Sequence, residues 1–252
     1  MLDAISGGRL EVGFARAFLP HEFAYFGVPL DESRARFDEG VEQIRLLLEN
    51  DVASHAGNFH AFENVTSLPR PTQQPRPPFW IAALATPESF ERAGRAGHSI
   101  MAGGMMAELI GLYRENWRAA GHGGNGQVML AFHMLCHSDR ARAVGIARAP
   151  LNRYLKSLVD GASQWLSGTN SADYPGYDKI IASLDAETFE TQVEKGAAWI
   201  GNPSEIIDAI KRYDELVGGF EIASLQVNFN TVAVEDAVAS MRLFAENVIG
   251  EF

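Results

Sequence analysis

Cysteine is almost missing from this chain. Cys136 stands alone among 252 residues. A single thiol excludes an intramolecular disulfide and a cysteine-built zinc site. Its setting, the apolar run AFHMLCHSD, is that of a small buried hydrophobe. A catalytic thiol needs a base or a positive field beside it, and the sequence does not supply one. Positive charge is also short, with 21 Lys and Arg against 32 Asp and Glu and a formal net charge of −11. That balance argues against a broad basic face for nucleic acid. No apolar run reaches the ~20 residues of a membrane-spanning helix. The opening, MLDAISGGRLE, lacks the basic-then-apolar pattern of a secretory leader. A soluble, cytoplasmic protein without nucleic-acid or membrane partners is therefore expected. Repeats at solenoid spacing and low-complexity tracts are absent as well. So are a P-loop, a G-x-S-x-G elbow, an H-E-x-x-H pair and a G-x-G-x-x-G that opens a helix after a strand. The glycine-rich GHGGNG at 121–126 follows a helix and precedes a strand, which is the setting of a turn.

What the chain does contain is alternation, and its length suits one large α/β domain spanning 1–252. RLEVGFA (9–15) leans to a strand after a Gly-Gly turn. ESRARFDEGVEQIRLLLEN (32–50) reads as a helix with Phe37, Val41, Ile44 and Leu48 on one apolar stripe. The aromatics and glycine of 53–78 suggest a hairpin, and its prolines a surface connection. FWIAAL (79–84) is the unbroken apolar run of a strand buried on both faces. TPESFERAGRAG (86–97) opens with Thr86 as N-cap and Pro87 at the first helical position. Strands are expected at 98–103, 127–136 and 222–230. Helices are expected at 106–122, at 140–159 with a kink or break at Pro150, and at 202–219 behind an Asn202–Glu205 capping arrangement. A closing helix at 235–249 carries Ala237, Met241, Phe244 and Val248 on one face. Residues 160–200 show weak periodicity, as expected of a long lid or binding loop. About five β-α units result, and such alternation implies parallel strands with helical crossovers. Periodicity does not decide between an open sheet and most of a barrel.

Ligands of parallel α/β folds sit at the carboxyl ends of strands. Arg16 ends the first strand, where a guanidinium either holds a phosphate or makes a surface salt bridge. Thr86 and Ser89 flank a helix N-terminus directly after a buried strand. That is either an anion site, with Glu88 as an unfavourable neighbour, or a plain cap. His21 in the loop after the first strand offers a polar pocket wall. His133 and His137 share a strand face, but no third ligand falls at fitting spacing, so no metal site is expected. His55, His60, His98 and His122 fall at element edges and read as surface residues.

The segment LDAISGGRLEVGFARAFLPHEFAYFGVPLDESRARFDEGVEQIRLLL resembles the luciferase-like flavin-dependent monooxygenases, which are TIM-barrel (β/α)8 proteins. It has the L-D-x-x-S-x-G-R approach to the fourth strand, a glycine-containing strand, F-G-V and a D-E-x-R helix start. LPRPTQQPRPPFWIAALATPESFERAGRAG, GNPSEIIDAIKRY and EDAVASMRLFAENVI continue the likeness in order. The resemblance implies strands four to eight of the barrel, with the family's first three β-α units missing. The usual catalytic histidine after strand two goes with them, so no catalytic residue is assigned. It also implies a flavin phosphate held by Arg16, Thr86 and Ser89, with Ala17, Phe18, Leu84 and Ala85 along the flavin ring. Family luciferases often carry an acidic residue where Ala85 stands, which implies altered ring contacts. The segment 160–200 resembles the family's mobile lid, which closes over reduced flavin and oxygen and excludes water. The implied activity is oxidation of an aldehyde, ketone or similar small molecule by reduced FMN and O2. A flavin reductase would supply the FMN, and the assembly would be a homodimer or heterodimer. A deazaflavin-dependent oxidoreductase and a non-catalytic, shortened flavin-binding subunit are the alternatives.

Overall fold

The computed structural model describes residues 1–103 and 107–252. The strands are Val12–Ala15 (β1), Ala53–Ala56 (β2), Ala61–Val65 (β3), Phe79–Ala83 (β4), Ser99–Gly103 (β5), Val128–Cys136 (β6), Ala198–Gly201 (β7) and Ile222–Gln226 (β8). The α-helices are Leu2–Ser6 (α1), Pro20–Tyr25 (α2), Ser33–Glu49 (α3), Pro87–Ala96 (α4), Ala107–Ala119 (α5), Arg140–Gly161 (α6), Tyr177–Asp185 (α7), Phe189–Glu194 (α8), Pro203–Val217 (α9) and Val234–Asn247 (α10). The helix expected at 106–122 begins, on the sequence reading, at Met106, which lies outside the described residues.

All pairings in the main sheet are parallel, and β2 with β3 forms the expected antiparallel hairpin. Ala15, Ala82, Met101, Met129 and Ile222 form one row across β1, β4, β5, β6 and β8. Because Met129–Ala131 pair with both β5 and β8, those strands lie on opposite edges of β6. His133 pairs with both β8 and β7, so the short β7 continues the β5 edge. The backbone order of the sheet is thus β1-β4-β5-β6-β8. Among the described residues β1 pairs only with β4 and β8 only with β6, leaving two free edges.

Side chains alternate between the two faces of a strand. One face carries Phe14, Ile81, Ile100 and Val128 in register. This face builds the core with Phe90 and Ala93 of α4, Ile110 and Tyr113 of α5, Ile206, Ile210 and Tyr213 of α9, and Phe244 of α10. Phe132 stacks on Trp199 at 3.9 Å between ring centroids. Gly94 permits the closest approach of α4 to α5, since a Cβ there would run into the Tyr113 carbonyl oxygen. On the other face Gly13, Ala15 and Ala131 are exposed.

Local chemistry sets the ends of these elements. Thr86 caps α4 from extended backbone with Pro87 behind it, and α4 stops at Gly97 with φ 69°. Asn202 and Glu205 form a full capping box on α9. The Asp3 carboxylate accepts the N–H groups of Thr72 (2.7 Å) and Gln73 (3.0 Å), which ties the start of the chain to the proline-rich connection.

Several expectations are corrected. Pro150 does not break α6, which runs unbroken from Arg140 to Gly161 with Pro150 buried inside it. Residues 160–200 are not irregular, for they hold α7, α8 and the fully buried strand β7. On α3, Ile44 is exposed and Gln43 is buried. The Gln43 amide donates to Glu39 Oε1 and to the His60 carbonyl at 3.0 Å, because this face of α3 meets the hairpin rather than the sheet. On α10, Met241 is exposed and Ser240 is buried, its hydroxyl accepting the Cys136 N–H at 2.7 Å. His98 is buried rather than at the surface.

Candidate functional site

Arg16 follows β1 with the same strand parity as Phe14, so its side chain turns toward the helix layer. Only 11% of that side chain is exposed, and its Nη1 lies 4.0 Å from Asp173 Oδ2, beyond a hydrogen bond. Nη1 donates to Ser33 Oγ at 3.4 Å, and the guanidinium sits 4.1 Å above the Tyr174 ring. Burial depresses the Arg16 pKa, although an arginine stays charged in any case. Arg16 is thus an enclosed cation whose carboxylate neighbour does not fork onto it.

Two helices begin beside it. The first turn of any helix leaves N–H groups without partners. At α3 the Asp173 carboxylate fills that role, accepting from the Arg34 N–H at 2.8 Å and from Ser33 Oγ at 3.1 Å. At α4 Thr86 holds the N-cap position and is buried, yet its side chain makes no cap bond. Tyr177 stands beside it. The Ser89 N–H donates to the Thr86 carbonyl at 3.0 Å. A cavity of about 460 Å³ opens between α3 and α4, lined by Arg16, Arg34, Ser89 and Arg92 among others, over apolar Phe37 and Ala82. Enclosed Arg34 Nη2 makes no hydrogen bond, and its ion-pair partner is Glu88 Oε2 at 3.4 Å.

Ala17 and Leu84 lie just past the ends of β1 and β4, two residues beyond the paired Ala15 and Ala82. Leu84 is exposed and Ala85 half-buried. The Ala17 carbonyl accepts the Tyr174 hydroxyl, and the Phe18 carbonyl accepts Trp165 Nε1–H at 2.8 Å. Phe18, Leu19 and Phe23 pack against the buried cluster of Trp165, Tyr174, Tyr177 and Ile181. The segment after α6 therefore lies over the β1 end as a packed aromatic layer. Sequence reading did not single out Ser33, Arg34, Asp173, Tyr174 or Tyr177. Arg34 sits in the D-E-x-R helix start, the one signal that pointed at it.

The remaining candidates lie elsewhere. His21 is in α2, edge-on to Tyr25 with centroids 6.1 Å apart. Cys136 is buried, and burial pushes its thiol up to about 11. His133 lies edge-on to Tyr154 (4.9 Å) and Phe229 (5.3 Å), and burial lowers its pKa to about 4. His137 Nδ1 instead accepts the Asp139 N–H at 2.9 Å.

These residues fit a flavin phosphate. Arg16, Arg34, Ser89 and the start of α4 line one cavity, a donor set that a phosphate takes, with Asp38 and Glu42 also on its wall and held by Arg92 and Arg45. The exposed small residues Gly13, Ala15 and Ala17 leave the adjoining sheet face free for a planar ring.

The sequence profile of the luciferase-like monooxygenases matches residues 1–218. The chain is 26% identical, over its whole length, to 70% of the oxygenase component of the flavin-dependent trigonelline monooxygenase of Acinetobacter baylyi. Monooxygenase RslO1 from Streptomyces bottropensis has the same architecture, with a TM-score of 0.78 over 99% of this chain and 71% of that one, at 34% identity. The oxygenating constituent of 3,6-diketocamphane monooxygenase from Pseudomonas putida, solved with FMN, superposes with a TM-score of 0.77 over 100% of this chain and 73% of that one. Its identity of 15% makes that a likeness of fold alone. Matches to two Sinorhizobium fredii proteins, 38% and 32% identical, span only 29% and 32% of those proteins' length.

Proposed function

The chain belongs to the luciferase-like monooxygenase family, and on that premise we propose that it is the oxygenase of a flavin-dependent monooxygenase that oxidises a small organic substrate with O2. One relative is named as the oxygenase component of a flavin-dependent monooxygenase. That supports reduced FMN as co-substrate and a separate flavin reductase as its supplier. Bound reduced flavin supplies the reaction with O2.

Arg16 carries the reading. It is enclosed, cationic, not forked by a carboxylate, and lines the same cavity as Ser89 at the start of α4. In the proposed complex Arg16 and the Ser89 hydroxyl bind the phosphate, and the α4 N-terminus adds its dipole. Buried Thr86 fixes the turn that presents Ser89. Ala17 and Leu84 provide the flat surface beside the ring. Trp165, Tyr174 and Tyr177 close the β1 end and keep water from it.

Purified chain is titrated with FMN and then supplied with a flavin reductase, a nicotinamide reductant and candidate aldehydes or ketones while oxygen uptake is followed. Saturable FMN binding with substrate-dependent uptake supports the proposal. No binding at millimolar FMN refutes it. A second reading is a non-catalytic flavin-binding subunit that partners another chain, favoured by the free edges of β1 and β8 among the described residues. It is distinguished by flavin binding without turnover and a stable complex in light scattering.

A further inference from the structure

A polar cluster at the far side of the sheet, on β6 and β8, has no part in the reading above. Ala131 and Ser224 pair across these strands and are both exposed. His133 and Gln226 form the next row on the same face, two residues nearer the carboxyl ends of the strands. Beyond them Leu135 packs with Leu151 and Leu155, so α6 lies across this end of the face. Tyr154 of α6 meets both members of the row. Its ring is edge-on to His133 at 4.9 Å, and its hydroxyl accepts Gln226 Nε2–H at 3.2 Å.

We infer that the Tyr154 hydroxyl, positioned by Gln226, donates a hydrogen bond to an acceptor oxygen of the substrate, so that the site takes a carbonyl compound in preference to a hydrocarbon of the same shape. The inference rests on the oxygenase reading, which sets the flavin ring and its substrate against this face.

Three observations carry it. First, a phenol has one proton to give and lone pairs to receive. Gln226 occupies a lone pair of Tyr154, and among the described residues the proton has no acceptor. Tyr154 is only half-buried, so that proton is within reach of a bound molecule.

Second, His133 stands beside it with Nε2 enclosed and without a hydrogen-bond partner. Phe229 closes the other side of its ring at 5.3 Å. Buried polar atoms are normally satisfied, and an orphan next to an uncommitted hydroxyl proton marks a place for a polar atom from outside the chain. Burial keeps this imidazole uncharged at neutral pH. The nearby Arg153 is turned away, donating to Asn230 Oδ1 at 3.2 Å and to the Thr231 hydroxyl. With no free charge facing it, the cluster suits a neutral carbonyl better than a carboxylate.

Third, the cluster is held before any ligand arrives. The same Arg153 bonds tie α6 to the loop after β8, and Gln226 fixes the Tyr154 ring against β8. A donor already in position loses little freedom on binding. Below it the small, exposed Ala131 and Ser224 leave space for the body of a substrate. A site built to hydrogen-bond a substrate rejects the analogue that lacks the partner atom, because its own polar groups are then covered and unpaired.

Cyclohexanone and methylenecyclohexane, which differ in C=O against C=CH2, are the probes. Their dissociation constants are measured by saturation-transfer NMR on the whole chain with saturating FMN, and on Tyr154→Phe and Gln226→Met. Cyclohexanone labelled with 13C at the carbonyl reports the hydrogen bond itself, because a donor at the oxygen draws electrons from the carbon and moves its resonance downfield. The unaltered chain is expected to prefer the ketone roughly 2- to 10-fold and to displace the 13C resonance. Tyr154→Phe should abolish both the preference and the displacement while FMN affinity changes less than about twofold. Gln226→Met should reduce both only in part. Equal binding of the two probes by the unaltered chain overturns the inference, as does binding of neither while FMN is held. A Tyr154→Phe chain that keeps the preference and the displacement overturns it as well, and an equal loss of both probes marks a purely structural role. FMN binding, measured separately on each protein, decides the parent reading by itself.

Discussion

Replacing Asp173 by asparagine removes a charge while keeping a shape, and replacing it by alanine removes both. The carboxylate accepts from the Arg34 N–H at 2.8 Å and from Ser33 Oγ at 3.1 Å, with Arg16 4.0 Å away. It thereby caps a long helix from a segment far along the chain. An amide oxygen can still accept one of those bonds. Asp173→Asn should therefore lose chiefly the dipole and ion-pair contributions, about 1 kcal/mol. Asp173→Ala also strands the Arg34 N–H and the Ser33 hydroxyl, for a total of about 2–3 kcal/mol. In a chain of this length each kcal/mol shifts Tm by about 2–4 °C, so the melting points are expected to fall in the order unaltered chain, Asn, Ala. The same change unties the segment carrying Trp165 and Tyr174. Limited proteolysis should accelerate at exposed 166–168 more in the alanine variant than in the asparagine one. Differential scanning fluorimetry and a protease time course read both effects. An alanine variant that melts within a degree of the unaltered chain and is cut no faster refutes the reasoning.

Other outcomes follow from packing and titration. Gly94→Ala puts a methyl group against the Tyr113 carbonyl oxygen and should cost about 1–3 kcal/mol in urea unfolding. Phe132→Ala removes the ring stacked on Trp199 and should cost about 3–5 kcal/mol by the same measurement. Burial holds His98 and His133 neutral, with pKa values lowered from 6.5 to about 4. The unfolded chain therefore binds protons that the folded chain does not as pH falls between those values. Stability should be complete above about pH 6.5 and decline toward pH 4, by at most about 3 kcal/mol per histidine. Urea midpoints across that range, with His133→Gln flattening the slope, check the sign.

Much of the fold was legible because its signals are local. The unbroken FWIAAL run became β4, and the Thr86-Pro87 and Asn202-to-Glu205 starts became α4 and α9. What escaped depends on contacts far along the chain. AWIG is too short to show a period and becomes a strand only by extending the β5 edge of β6. The helical stripes on α3 and α10 were read for one partner each. The hairpin claims Gln43, and Ser240 serves the Cys136 N–H, so Ile44 and Met241 face outward. His98 looked like an edge residue, yet it lies beside Phe79 at 5.7 Å between ring centroids. At the candidate site the strand ends point to Arg16, Thr86 and Ser89 in the sequence itself. Asp173 and Tyr174 were invisible there, because the segment around 173 reaches Ser33 and Arg34 only through the folded chain.

The central claim is that Arg16 meets the phosphate of a flavin. Phosphorus NMR of FMN added to the chain, and to Arg16→Ala of matched folding, tests it most directly. A displaced and broadened phosphate resonance with the unaltered chain, restored to the free position with Arg16→Ala, is the result expected. A resonance that the two proteins shift alike, or that neither shifts, contradicts it.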